Sequence, residues 1–496
     1  MTSTESSVGQ MVNTVAVDAV AKSFATASTP TTSTPTTRTE ADLLGSARVP
    51  TEAYWGIHTQ RAVENFTLGA DRLEAFPSLV SALAVVKQAC ARANGDYGLL
   101  TPEVRGAIEW ACEQLRSGQY LDQFPVEMIQ GGAGTSTNMN ANEVIANLAL
   151  ERLGCEKGSY AVIHPNEQVN KSQSTNDVYP TALKIAMITS TDDLLAALER
   201  LTKSFDGKAA EFADIVKIGR TQLQDAVPMT LGQEFETYGV TLRRDRDRLL
   251  EAAGHLHEVN LGATAIGTGI AAPAGFAVSA GNHLRELTGR PMRTSEHLIE
   301  STQDVGTFTL FSATLKRLAV KLSKICNDLR LLSSGPRSGL GEINLPARQA
   351  GSSIMPGKVN PVIPELVNQI AFEVIGADLT VTLAAEGGQL QLNAFEPIIG
   401  YSIFRSMEHL KQGMDLLAAF CVDGITANAE TLAGHVNGSI SIVTALVPQI
   451  GYVAATRIAR EAQETGASVK TLVLDLALMT PDEFDDLILM RPCSRL

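Results

Sequence analysis

Phe308, Phe311, Leu315, Leu318, Leu322, Ile325, Leu329 and Leu332 follow one another at alternating steps of three and four without a break. That spacing tracks the 3.6-residue helical turn, so all eight side chains share one face of a single long helix. The same pattern recurs in Met187, Leu194, Leu198, Leu201, Phe205 and Phe212, and in Leu231, Phe235, Tyr238 and Leu242 continuing through Leu249, Leu256 and Val259. It returns in Ile363, Val367, Ile370, Val374 and Val381, and in Ile403, Met407, Leu410, Met414, Leu417 and Cys421. Five long helices are therefore predicted between about Pro180 and Val422, each with an apolar stripe to bury against the others. The predicted fold class is mainly α: a long central bundle of five helices per subunit, flanked by smaller N- and C-terminal helical domains. A thirty-residue helix extends about 45 Å, more than a compact monomer needs, so the helices are expected to bury further faces against other subunits. The Met and Leu stripes read as core rather than as a cofactor site.

Residues 1–38 are expected to be a disordered tail, because Ser28 to Thr37 contains only Ser, Thr and Pro and has no apolar surface to bury. An N-terminal domain is assigned to residues 39–178, the bundle to residues 179–425 and a small C-terminal domain to residues 426–496. Strand signals are sparse, Tyr160 to Ile163 being the best, and no GxGxxG follows a strand, so a nucleotide-binding domain is not supported. Gly262 to Gly275, rich in Gly, Ala and Thr, reads as a long connection or a loop lining a pocket. A formal charge of -14 makes nucleic acid or an anionic membrane a poor partner. Six cysteines without CxxC or zinc-type spacing point to reduced thiols, no metal centre and a cytoplasmic location. Neither a membrane-length apolar run nor a basic-then-apolar leader is read in the sequence.

The bundle pattern is broken by GSSIMPGKVNPVIPE, Gly351 to Glu365. Gly351, Pro356, Gly357 and Pro361 resist regular helix, so Ser352, Ser353, Lys358 and Asn360 ride on a turn-rich loop. Hydroxyls, an amide, an ammonium and backbone N–H groups on one loop suit a carboxylate, although composition alone favours an ordinary surface connection, and it is the order of the residues that points to a site. Three further segments combine glycine with small polar donors: GGAGTSTNMN (Gly131 to Asn140), NKSQSTND (Asn170 to Asp177) and GRTQLQD (Gly219 to Asp225). Each leads towards or interrupts a helical pattern. Taken singly, such clusters are usually helix caps.

As a string, Gly351 to Pro361 resembles the GSSxMPxKxNP signature of the aspartase and fumarase superfamily, with every fixed position filled. The three other segments resemble that superfamily's conserved regions, and the likeness runs from about Thr39 to the C-terminus. It is closer to the aspartases, through DLLGSARVPTEAYWGIHTQRAVENF near the start and AAEGGQLQLNAFEPIIG at Ala384 to Gly400. The resemblance implies a homotetramer with sites shared between subunits, small substrates, and reversible conversion of L-aspartate to fumarate and ammonia. It also implies roles. Ser352 would be the catalytic base, as an alkoxide. Thr135, Ser174, Thr175 and Ser353 would hold the side-chain carboxylate as it gains charge. Lys358, Asn360, Thr221 and Gln222 would hold the α-carboxylate, and Asn176, helped by Thr135, would orient the amino group. Gly267, Thr268 and Gly269 fit a family loop near the site, and Arg61 falls in a family motif while reading equally as a surface salt bridge. No cofactor is implied, and activation by a divalent cation is left open.

Fumarase is the rival reading, and the leaving group separates the two. Hydroxide leaves as water only with a general acid, whereas the ammonium of aspartate already carries its proton. Fumarases resemble this chain at Gly219 to Asp225 but carry histidine where Gln222 stands, and glutamine cannot be that acid. His164, in IHPNEQVN, resembles a second anion site of fumarases, but Glu167 departs from that pattern and the stretch is read as loop. A non-catalytic member of the superfamily is a further alternative, against which the complete set Ser352, Lys358 and Asn360 argues, and argininosuccinate and adenylosuccinate lyases, with larger substrates and different flanking motifs, are distant rivals.

Overall fold

The computed structural model describes residues 37–69 and 71–488. The tail assigned to residues 1–38 lies outside the described residues except for Thr37 and Arg38, which pair in a strand rather than belonging to a tail. Arg38 accounts for the earlier start: its guanidinium donates to the backbone oxygens of Pro50 and Ala53 and pairs with Glu40 at 2.7 Å. The hairpin of β1 (Thr37–Asp42) and β2 (Gly45–Pro50) leads into α1 (Ile57–Asn65), α2 (Pro77–Asp96), α3 (Pro102–Arg116) and α4 (Thr135–Arg152).

Five long helices follow, as the stripes predict. These are α5 (Thr175–Glu211), α6 (Leu231–His255), then, after the short α7 (Phe276–Thr288) and α8 (Leu298–Gln303), α9 (Gly306–Leu332), α10 (Val362–Glu386) and α11 (Glu396–Phe420). All eight stripe residues of α9 are buried, and Phe205, Phe212, Phe235 and Tyr238 stack edge-to-face where α5 meets α6. The stripe of α6 overruns its helix: Leu256 and Val259 are buried beyond its end, Val259 in a two-residue strand.

Cross-contacts fix the direction of each helix. Arg243 of α6 pairs with Asp206 of α5, Tyr238 of α6 meets Asp328 of α9, and Asn368 of α10 donates to Ser323 and Asn327 of α9. Asp415 of α11 pairs with Arg200 of α5, and Gly400 packs on Leu183. Hence α5, α9 and α11 run one way and α6 and α10 the other. One pole of the bundle gathers the starts of α5, α9 and α11; the opposite pole gathers the starts of α6 and α10. At that second pole a Cβ on Gly232 would sit 2.5 Å from the Ala209 carbonyl, so α5 and α6 approach there as only glycine permits.

Pro180 lies inside α5. Having no N–H, it leaves the Asn176 carbonyl without its helical donor, and Asn260 Nδ2 supplies one at 3.0 Å.

Two expectations are corrected. Tyr160 to Ile163 is a turn, not a strand; the Tyr160 hydroxyl bonds Glu40 and Asn147 instead of joining a ladder. Gly219 to Asp225 is no helix start but the tip of an antiparallel hairpin, β3 (Val216–Thr221) with β4 (Gln224–Thr230). Ile218 of β3 packs into a second, smaller core with Leu446, Ile458, Val473 and Phe484 from the C-terminal helices.

The outer face of α10 exposes Phe372, Ile375, Leu379 and Leu383. This helix is long and apolar enough by composition to cross a membrane, yet its inner face carries Asn368 and Asp378, both bonded to α9.

Phe311 is fully buried in the bundle. Phe311→Ala should cost about 3–5 kcal/mol through lost burial and the cavity left behind, read as a lower midpoint in chemical denaturation.

Candidate active site

At the first pole, Gly132, Ala133 and Gly134 all have positive φ, turning the chain sharply into α4 so that Thr135 becomes its first residue. Gly134 is obligatory there: at φ +87 a Cβ would also lie 2.5 Å from the Tyr179 ring. Ser174 caps α5, accepting from the Asn176 N–H while Asp177 answers to the Ser174 N–H at 2.9 Å. Asp177 does a second job. Its other oxygen accepts from the N–H groups of Gly262 and Thr264, both at 3.0 Å, pinning the Gly262–Gly275 loop against the start of α5. Burial raises this carboxyl to about 6, against the pull of those backbone donors. Asn176 Nδ2 donates to the Ala265 carbonyl at 2.7 Å, which leaves it one amide hydrogen for a ligand. Thr175 Oγ1 accepts from Asn138 Nδ2 at 3.1 Å. Thr135, Ser174, Thr175 and Asn176 are thus brought together, with Gly267, Thr268 and Gly269 on the adjoining loop.

At the second pole, the predicted loop from Gly351 to Asn360 is closed at its base by Gly351 N–H to the Lys358 carbonyl (2.7 Å) and by Asn360 Nδ2 to the Gly351 carbonyl (2.8 Å). Within it, Ser352 Oγ accepts from the backbone N–H groups of Ile354 (3.2 Å) and Met355 (3.0 Å). Two amide dipoles aimed at one oxygen favour negative charge on it. Ser353 and Lys358 are exposed, and no carboxylate pairs with Lys358 among the described residues. The loop's apolar side chains Ile354 and Met355 are exposed too.

The hairpin tip is Gln222 and Leu223, both at left-handed φ (54 and 63), as a two-residue hairpin turn requires. Thr221 and Gln222 are exposed at this pole. Behind them lies an ionic hub that sequence reasoning did not find. Glu342, fully buried between α9 and the serine loop, pairs with Lys217 (2.9 Å) and Arg220 (2.6 Å) of β3 and with His435 (3.1 Å) of the C-terminal helices. Burial would raise the Glu342 carboxyl, but Lys217 and Arg220 outweigh it and hold it below its ordinary value. Arg61, by contrast, is spent on a bidentate pair with Asp42. His164 Nδ1 accepts from Asn166 N–H at the start of a single helical turn, Pro165–Val169.

The two groups do not meet within one chain. The 37 residues of α5 put its ends roughly 55 Å apart at 1.5 Å per residue. Thr135, Ser174, Thr175 and Asn176 stand at one end, whereas Thr221, Gln222, Ser352, Ser353, Lys358 and Asn360 stand at the other.

Comparison with known proteins bears on the family and the fold. The family described as Lyase matches residues 45–376, and the family described as Fumarase C C-terminus matches residues 442–491. The chain is 57% identical over 451 residues to an aspartate ammonia-lyase of Pseudomonas aeruginosa, covering 91% of this chain and 95% of that one. It superposes with TM-score 0.89 and 54% identity on a fumarate lyase:delta crystallin from Brucella melitensis bound to cobalt, covering 91% of this chain and 98% of the other. With a class II fumarase from Schistosoma mansoni the TM-score is 0.87 at 32% identity, over 93% and 100% of the two chains.

Glu342→Gln leaves buried Lys217 with Glu234 as its remaining carboxylate and takes the carboxylate from Arg220; it should cost about 1–3 kcal/mol, lowering the thermal midpoint. Because the folded pKa is depressed, the hub's contribution is complete above the ordinary carboxylate value and lost only as pH falls through the folded one. On acid titration the wild type should therefore lose its excess stability over Glu342→Gln, the two midpoints converging at low pH.

Proposed function

This chain belongs to the fumarase and aspartase superfamily and its activity is that of an aspartate ammonia-lyase, and we propose that Ser352 is the base of that reaction. The observation that carries the assignment is the pair of backbone N–H groups converging on Ser352 Oγ. A free serine is far too weak an acid to be an alkoxide near neutrality; donors fixed in advance, with the Lys358 ammonium on the same loop, lower the cost of that charge.

The alkoxide takes a proton from the carbon bearing the side-chain carboxylate of L-aspartate. The electron pair left behind spreads into that carboxylate as an enediolate-like intermediate, held by Thr135, Ser174, Thr175 and Ser353. Donors placed for charge that develops only then contribute roughly 3 kcal/mol each. The pair then forms the carbon–carbon double bond, and the carbon–nitrogen bond breaks with its electrons going to nitrogen, which departs as ammonia. Fumarate remains. Lys358, Thr221 and Gln222 hold the α-carboxylate, together with the amide hydrogen that Asn360 does not spend on Gly351. Asn176, with Thr135, orients the amino group. Every step draws on side chains and backbone of the protein, and no cofactor is assigned a part.

Poles so far apart imply that each site is completed by other copies of the chain. We propose a homotetramer in which the first pole of one subunit meets the second poles of its neighbours. The exposed apolar row Phe372, Ile375, Leu379 and Leu383 gives α10 the surface to pack against its counterparts. The proposed location is the cytoplasm, where the five described thiols, none in a disulfide, stay reduced.

Purified protein offered L-aspartate or L-malate should form fumarate, followed by its absorbance, from aspartate alone; formation from malate alone would make it a fumarase. Ser352→Ala should keep the assembly and abolish turnover, and near-normal turnover would remove Ser352 as the base. Mixing inactive Ser352→Ala with the much slower but still measurable Thr175→Ala, then unfolding and refolding them together, should restore about a quarter of wild-type activity if the two residues come from different subunits. A mixture no more active than Thr175→Ala would return both to one chain. Leu379→Asp with Leu383→Asp should give smaller, inactive particles by light scattering.

A further inference from the structure

We propose that Lys87 is a positioning residue for this reaction: its ammonium, buried under the start of α5, orients the Thr175 hydroxyl through Asn170 and Asn138. The inference rests on the reading of Thr175 as a carboxylate donor and deepens it.

Lys87 is fully buried in α2, among alanines, valines and leucines, and no carboxylate pairs with it among the described residues. A buried cation without a counter-ion is costly, and a methionine would fill the same space without that cost. Its place therefore rests on what it holds. Nζ donates to Asn170 Oδ1 and Gln173 Oε1, both at 2.9 Å. Burial pulls the ammonium down to about 7, opposed by the Asp177 carboxylate.

Asn170 Oδ1 is a junction. Besides Lys87 it accepts from Asn138 Nδ2 and Asn142 Nδ2, each at 3.2 Å. Asn138 is 1% exposed, and its amide has two hydrogens: one goes to Asn170 and the other to Thr175 Oγ1 at 3.1 Å. A hydroxyl whose oxygen accepts from Asn138 keeps its single proton for another acceptor. That fixes the sense of the Thr175 hydroxyl as a donor before substrate arrives. Without the ammonium, Asn170 loses its charged partner, and the Asn138 amide is free to turn its oxygen towards Thr175 and draw the hydroxyl proton away from the substrate. The same holding pattern braces Gln173, one residue before the Ser174 cap, whose Nε2 donates to the Val169 and Lys171 carbonyls at 3.0 Å each.

The test is a double-mutant cycle on the assembled enzyme. Lys87→Met is compared in the wild-type and Thr175→Ala backgrounds, with kcat and KM for L-aspartate measured in each. With Thr175 present, kcat should fall about tenfold or more while KM stays within about twofold, because the donor matters most to the charge that develops in the intermediate. In the Thr175→Ala background the same change should alter kcat by no more than about twofold. Equal losses in both backgrounds would overturn the proposal, since a purely structural lysine damages both alike. If Thr175→Ala by itself leaves kcat unchanged, the carboxylate reading of Thr175 falls and the proposal falls with it. Should Lys87→Met fail to assemble, Asn138→Ser breaks the same relay with a smaller packing change and is judged by the same comparison.

Discussion

A helix cannot be shortened without being broken, and the rise of 1.5 Å per residue is the constraint on which this molecule is built. With α5 at 37 residues and four partners of 25 to 27 laid alongside it, the bundle is a rod with two chemically distinct ends. One end is rich in helix-start donors: Thr135, Ser174, Thr175 and Asn176. The other holds the serine loop and the hairpin tip. A rod keeps such groups at a fixed separation, so only a second rod laid head to tail can bring them face to face. In the proposed tetramer, the exposed row on α10 and the separation of the two donor groups serve the same assembly.

Each end is stiffened by a buried carboxylate. Asp177 joins the start of α5 to the Gly262–Gly275 loop, using backbone donors from both. Glu342 joins β3, the chain leading into the serine loop and the C-terminal helices, using side-chain cations. The first accepts backbone N–H groups and is raised by burial; the second is surrounded by charge and is lowered. Neither touches the substrate as proposed. Their work is to keep short polar side chains from drifting, which matters because hydroxyl and amide donors act only over hydrogen-bond distances.

The bundle was legible from sequence because its signal is local and repetitive: each stripe repeats every three or four residues, and burial follows the period. The serine loop was legible for the opposite reason, that glycine and proline forbid the helix around it. The β3–β4 hairpin was not legible, since its few apolar residues give no clear alternation. Its strands are held instead by Glu342, more than a hundred positions along the chain, and by the small C-terminal core around Ile218. Tyr160 to Ile163 misled in the other direction: Ile163 is buried and the Tyr160 hydroxyl is hydrogen-bonded, but Ala161 and Val162 between them are exposed on a turn with no partner strand. The Lys87 network joins residues 83 and 86 positions apart. A single lysine in the apolar run VSALAVVKQACA was the only local hint of it, and periodicity assigns such a residue no partner.

Pro180 carries a last consequence. Because it withholds a hydrogen from the helix, the Asn176 carbonyl belongs to Asn260, and through Asn260 Nδ2 to Thr302 of α8 as well. Two positions eighty residues apart are therefore locked into a shared fate. Restoring a backbone donor at 180 would make Asn260 redundant there, while altering Asn260 alone would leave the half-buried Asn176 carbonyl without its donor. Mutational paths through this part of the protein have an order, in which position 180 has to yield before position 260 can.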